Sequence, residues 1–128
     1  MRYEGSWGYA GRGAERLRVA HLLLRADMDG IGLHVLDLAA AQLAEGAVEP
    51  VVVTCPSPDY AAALAAAGVP AIHQGGFRFL PALVRYLRSD FNRLGFDLIH
   101  LHGYRATHLA PALRQLRPGA WELPVVGT

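Results

Sequence analysis

Short apolar runs alternate along this chain with glycine-bearing loops and helix-length segments, and that alternation limits the fold more than any other feature. Residues 18–24 (RVAHLLL), 49–54 (EPVVVT), 69–73 and 96–101 (FDLIHL) have strand length and largely apolar content, as strands covered on both faces have. A fifth strand begins in 123–127 (LPVVG). Between them lie helical patterns. In 32–45, Val35, Leu38, Ala39 and Gln42 form one stripe, widened by Leu36, Ala40 and Leu43 and stopped at Gly46. Asp59 begins an alanine-rich helix that ends at Gly68. Residues 79–94 carry Leu80, Leu83, Val84, Leu87, Phe91 and Leu94 at helical spacing. A last helix spans 104–117, with Pro111 inside it as a kink or restart. Strands separated by helices, without hairpin signals, predict an α/β fold: a Rossmann-like open parallel sheet of about five strands with helices on both faces. Such sheets bind ligands at the carboxyl ends of their strands, where the strand order reverses. That directs attention to loops 25–34, 54–59, 73–78 and 102–107.

At 128 residues the chain has the length of one domain with one buried core. An apolar content of 52% excludes a disordered protein, and a net charge of +1 gives no reason to expect nucleic acid as a partner. All 12 basic residues are arginine, which fits a GC-rich bacterial genome. Cys55 is the single cysteine, so no disulfide forms within the chain and a reducing, cytoplasmic setting is expected. Residues 1–17 lack the apolar stretch of a signal peptide and are expected to form a flexible lead-in. No run reaches the roughly 18 apolar residues of a spanning helix.

Two loops carry candidate chemistry. The first is Asp27-Met28-Asp29-Gly30-Ile31-Gly32-Leu33-His34. Its glycines allow close backbone approach, and the N–H groups of a helix start can hold a phosphate. A tight turn with Asp29 as N-cap accounts for the same residues, and the two readings stand level. A dinucleotide site fails. The third glycine of G-x-G-x-x-G would fall at Val35, strand two ends Thr54-Cys55 without an acid for a ribose, and Asp29 adds negative charge. No nicotinamide or flavin cofactor is expected.

The second loop follows Asp97-Leu98-Ile99-His100-Leu101-His102-Gly103-Tyr104-Arg105. Alternation places Leu98, His100 and His102 on one face. His102 falls at the carboxyl end of the strand beside a glycine, where an imidazole can exchange hydrogen bonds or protons with a hydroxyl. Arg105 can pair with an anion or simply face solvent. His100 reads as an interior histidine, and His21, within strand one, as structural. As a metal pair, His100 and His102 lack a third ligand, so no metal is expected. His73 and His108 carry no readable signal, and Cys55 has no activating base. Arg78, Arg85, Arg88 and Arg93 line the helix over 79–94. Ordinary packing with arginines in water is the preferred account of that helix, and peripheral contact with anionic lipid at the inner membrane face is the other.

In order and spacing, RVAHLLL, DMDGIGLHVLDLAAAQLAEG, VVVT, AGVPAIH, DLIHLHGYRATHLA and LPVVGT resemble one family. Residues 18–128 are similar to the amino-terminal domain of retaining, family-4-type glycosyltransferases of the GT-B fold. The resemblance implies a hexosyltransferase-type enzyme that moves a sugar from a nucleotide-sugar co-substrate to a glycan, lipid or small-molecule acceptor with retention. It implies no other cofactor. It places Gly30 and Gly32, with Asp27 ordering the loop, near the donor phosphates. It places His102, Gly103, Tyr104 and Arg105 near acceptor and sugar, with His102 the catalytic candidate. The family often has two adjacent glycines in the first loop, where this chain has Asp29 and Gly30. The family's donor-binding half lies carboxyl-terminal to this domain, so the chain is expected to be incomplete at its C-terminus and inactive alone. The alternative is a stand-alone flavodoxin-like binding or regulatory module.

Overall fold

The computed structural model describes residues 2–4, 16–73, 95–103 and 125–127. In chain order these form β1 (Arg2–Glu4), β2 (Leu17–Leu22), α1 (Gly30–Glu45), β3 (Val48–Thr54), α2 (Pro58–Ala66), β4 (Ala71–His73), β5 (Leu98–Leu101) and β6 (Val125–Gly127). All six strands join one sheet in the order β1-β4-β3-β2-β5-β6. The pairings β2–β3, β3–β4, β2–β5 and β5–β6 are parallel. Each apolar run of the sequence therefore became a parallel strand. The helices expected over 79–94 and 104–117 lie outside the described residues.

One finding departs from the sequence expectation, and a second decides between its alternatives. The lead-in contains β1, which pairs antiparallel with β4 and sets Tyr3 opposite Ile72. The segment RYE is too short to carry a period-two signal, so pairing with an existing sheet edge, and not local pattern, makes it a strand. Second, the five parallel strands follow the order 3-2-1-4-5, the Rossmann arrangement, whereas a flavodoxin-like sheet runs 2-1-3-4-5. This order sets the flavodoxin-like alternative aside.

Local chemistry explains where the helices begin and end. Asp29 adopts extended backbone geometry, and its carboxylate accepts from the Gly32 N–H at 3.1 Å. Gly46 closes α1 in the left-handed region at φ 86°, which a side chain would resist, and its N–H donates to Gln42 O. Ser57 caps α2 by accepting from the Tyr60 N–H at 3.2 Å, and Pro58 occupies the first turn, where no donor is lost. Both helices pack on one face of the sheet. Val35 and Ala39 of α1 and Tyr60 and Leu64 of α2 are buried with Leu23, Val52 and Ala71. Full burial of a side chain such as Leu64 contributes roughly 1.5–3 kcal/mol. The opposite face is equally dry: Ala20, Leu22, Val51, Val53, Ile72, Ile99 and Leu101 are all buried.

The amino end of the central strands closes on itself. Arg18 and Glu49 are register partners on β2 and β3, and their side chains meet at 2.8 Å with almost no solvent contact. Asp97 accepts from the Arg18 backbone N–H at 2.9 Å, while its own N–H donates to Arg18 O. The unit ties β2, β3 and the entry to β5 together at the edge away from the candidate loops.

Candidate functional site

The parallel order reverses between β2 and β5. The chain moves outward in one direction through β3 and β4 and then restarts on the other side of β2 at β5. In sheets of this kind such a reversal marks the place where ligands bind, at the carboxyl ends of the strands. The loop after β2 carries Asp27, Gly30 and Gly32, and the loop after β5 carries His102 and Gly103. The two loops share one edge. The His102 N–H continues the β2–β5 ladder by donating to Leu22 O at 3.0 Å. A Cβ placed on Gly103 would meet Ile31 Cδ1 at 3.5 Å, so the two loops lie side by side. Gly103 itself has φ 89°, the left-handed geometry that favours glycine and turns the chain off the strand.

Each sequence-selected residue of the first loop has a physical account. Gly32 is buried, and a Cβ there would overlap the Asp27 carbonyl and crowd the Tyr60 ring. Its carbonyl accepts from the Tyr60 hydroxyl at 2.7 Å, and its N–H is taken by Asp29. Burial pushes the Tyr60 phenol up to about 12, with the Asp29 and Asp37 carboxylates adding to the shift, so it stays a donor. Gly30 differs: it is exposed, with open space where a side chain would go. Asp27 is half-exposed and sits 3.6 Å from Arg25. Met28, Ile31 and Leu33 are exposed apolar side chains on the same stretch. Tyr104 and Arg105 lie outside the described residues.

The second loop brings in a residue that sequence reasoning had assigned to structure alone. His21 is the register partner of His100 across β2 and β5. Strand pleat sends His21, His100 and His102 to one sheet face, the face α1 covers. His102 stacks on His100 with ring centroids 3.9 Å apart, and His21 lies 5.1 Å from His102. The His34 ring, on the first turns of α1, is 6.1 Å from His102. His21 and His102 are buried and His100 is half-buried.

Hydrogen bonding orders the cluster. His21 Nε2 lies 2.7 Å from Gln42 Oε1, an acceptor, so Nε2 carries the ring proton. His21 Nδ1 then holds the lone pair and accepts from His102 Nε2–H at 2.9 Å. Burial is the main reason the His21 imidazole is held down to about 4, with His100 and His34 lowering it further and the Gln42 bond opposing them. Burial likewise takes His102 to about 3, followed by the effects of His100, His21 and His34. His100 is lowered by burial and by His34. At neutral pH the cluster is uncharged, and it offers nitrogen lone pairs and N–H groups.

Gln42, on the helix stripe, and His21, expected to be structural, are the residues of this cluster that the sequence does not mark as functional. The available signal was positional: in a doubly wound sheet the first strand lies beside the fourth, so His21 and the His-x-His of β5 share an interface. The reason for expecting no metal, the lack of a third ligand, does not hold in three dimensions, because one nitrogen from each of His21, His100 and His102 lies within 4.8 Å of the others.

Among the described residues, no helix is long and apolar enough to cross a membrane. The family described as Glycosyltransferase Family 4 has a model that matches residues 28–128, which takes in the last two residues of the loop after β2, α1, and the whole of β5 with its loop. No curated protein and no solved structure matches the chain. A sheet that reverses its order at β2 and β5, loops meeting at that reversal and a family match over most of the sequence lead to one statement: the chain belongs to glycosyltransferase family 4.

Proposed function

We propose that this chain forms the acceptor-side, amino-terminal domain of a retaining, hexosyltransferase-type glycosyltransferase that uses a nucleotide-sugar donor. The observation that carries the reading is the side-by-side placement of the loops of Gly30 and Gly103 at the strand-order reversal. Gly30, open on its side-chain face, is the point of backbone approach to the donor phosphates. The first turn there has one N–H already committed to Asp29, so donor contact is shared with other groups. On the same reading a carboxyl-terminal domain grips the nucleotide, and residues 1–128 alone bind acceptor without turning over donor. His102, with Gly103, Tyr104 and Arg105, meets the acceptor and the sugar. The exposed Met28, Ile31 and Leu33 suit an acceptor with an apolar portion, such as a lipid-linked glycan or an aglycone. The setting is the bacterial cytoplasm, with acceptor met at the inner membrane face when it is a lipid.

The test is a titration of the isotope-labelled chain with nucleotide sugars and with glycan or lipid-linked acceptors, followed by backbone NMR. Shifts confined to Gly30, Ile31, His102 and Gly103 are expected. In the full transferase, His102→Ala is expected to lower kcat/KM by about 10²-fold, the range of a lost proton-transfer or hydrogen-bonding group. Shifts that map to the amino end of the sheet, or a His102→Ala enzyme with full activity, overturn the proposal.

A further inference from the structure

We propose that His21, His100 and His102 form a site for a single divalent transition-metal ion of the Zn2+ class. The inference stands on the geometry of the cluster and does not depend on the transferase reading. Each of the three imidazoles offers one nitrogen, and these atoms lie mutually within 4.8 Å. Tetrahedral Zn2+ with Zn–N bonds of about 2.0–2.1 Å needs nitrogens about 3.4 Å apart, so the half-buried His100 ring, stacked on His102, turns to aim its nitrogen at the ion. The His21 and His102 nitrogens, now 2.9 Å apart, would separate slightly to admit the ion.

One ligand of the cluster already has the hydrogen bond that a metal-bound histidine uses. A metal-bound histidine ordinarily donates its other ring N–H to an oxygen, which fixes its tautomer and raises its basicity as a ligand. His21 already does this through Nε2–H to Gln42 Oε1, leaving Nδ1 as the coordinating atom. With the His102 ring proton on Nδ1, the Nε2 lone pair faces the ion and no net proton is released. His100 and His102 alternate on one strand, and His21 is in register with His100, so the sheet itself holds the ligands. Uncharged imidazole donors favour Zn2+, Co2+, Ni2+ or Cu2+ over Mg2+ and Ca2+, which prefer oxygen. Three protein ligands leave the fourth position for water or a substrate oxygen.

The test uses the whole chain, free of any histidine tag and stripped with a chelator. Calorimetric titration with Zn2+ is expected to show one equivalent bound, reversed by chelator. Co2+ is expected to give the strong visible absorption of a tetrahedral ion, and Mg2+ no heat. X-ray absorption at the zinc edge should count three imidazole nitrogens. Gln42→Leu is expected to weaken Zn2+ by about 10–100-fold, and His100→Ala by at least as much. His73→Ala, two strands away, should leave affinity unchanged. No saturable Zn2+ binding, affinity unchanged in His100→Ala, or binding lost instead on His34→Ala would each overturn the proposal. Should His21→Ala fail to fold, the half-buried His100 and the nitrogen count decide the matter. None of these readouts involves a sugar, so a negative result leaves the transferase reading untouched.

Discussion

The two ends of the β2–β5 strand pair handle buried polarity in opposite ways. At the amino end, Arg18 and Glu49 face each other as a charged pair, and Asp97 brackets the Arg18 backbone. Opposite charges and matched donors close that unit. At the carboxyl end, three neutral histidines share one face, and burial lowers the basicity of each. The hydrogen bonds of His21 there run to an amide oxygen and a second imidazole. The difference teaches where this sheet stores stability and where it keeps chemistry available. A closed ion pair is a clamp. A group of uncharged nitrogens beside two glycine-bearing loops can still exchange partners.

The sharpest way to break the comparison is at the backbone of the carboxyl edge. Gly32→Ala forces a Cβ into the Asp27 carbonyl and should cost more than about 4 kcal/mol, the scale of severe single-residue damage. Chemical denaturation reads this, and Gly30→Ala, with open space at its Cβ, should stay within about 1 kcal/mol of the parent. Equal effects at the two glycines would mean that the loops do not pack as described.

Next in size is Glu49→Leu, which removes a carboxylate partner from the buried Arg18 guanidinium and should cost about 3–5 kcal/mol. Adding Arg18→Met should recover much of that loss. An additive double variant, measured by urea unfolding, would show that the amino end is no coupled pair.

The carboxyl end predicts an acid effect. The ordinary histidine value is 6.5, and the folded chain holds His21 to about 4 and His102 to about 3. Above pH 6.5 both states are neutral and the stability is fully present. Below it the unfolded chain takes up protons that the folded chain refuses, so stability falls progressively towards pH 4. At about 1.4 kcal/mol per unit, the loss by pH 4.5 amounts to a few kcal/mol. Thermal melts between pH 7 and 4.5 test this, and His102→Leu should flatten the acid limb. An unchanged slope in that variant would remove the cluster as its source.

The smallest effect is at the α1 cap. Asp29→Ala gives up the bond to the Gly32 N–H and should cost about 1 kcal/mol. The same change removes a negative charge from the first turn, so anion binding near Gly30 should strengthen as stability falls. Weaker binding would count against an anion-facing turn.

Much of the fold was legible from local pattern. Strands β2 to β6 and both described helices fall on runs chosen for their periodicity, with boundaries moved by two or three residues at most. Gly46 and Asp29 were readable as caps because their roles depend on near neighbours. Strand β1 was not, since Arg2–Glu4 is a strand only by virtue of the β4 edge. The position of His102 and of the glycine loop at strand ends was legible, because strand ends announce themselves. Gln42 shares a helix stripe with Val35, Leu38 and Ala39 in the sequence, and only the fold brings it to His21. Arg18 and Glu49, 31 positions apart, became partners through strand register.

From its sequence alone, this chain determined which segments are strands and helices, where the helices stop, and which strand ends bear glycine and histidine, because those properties depend on side-chain period and backbone freedom over a few residues. Only the tertiary structure decided that β2 lies between β3 and β5, and therefore that His21, 81 positions from His102, stands against it. Strand order is set by how distant apolar faces share one core and by the handedness of the crossovers, and no local segment carries that information.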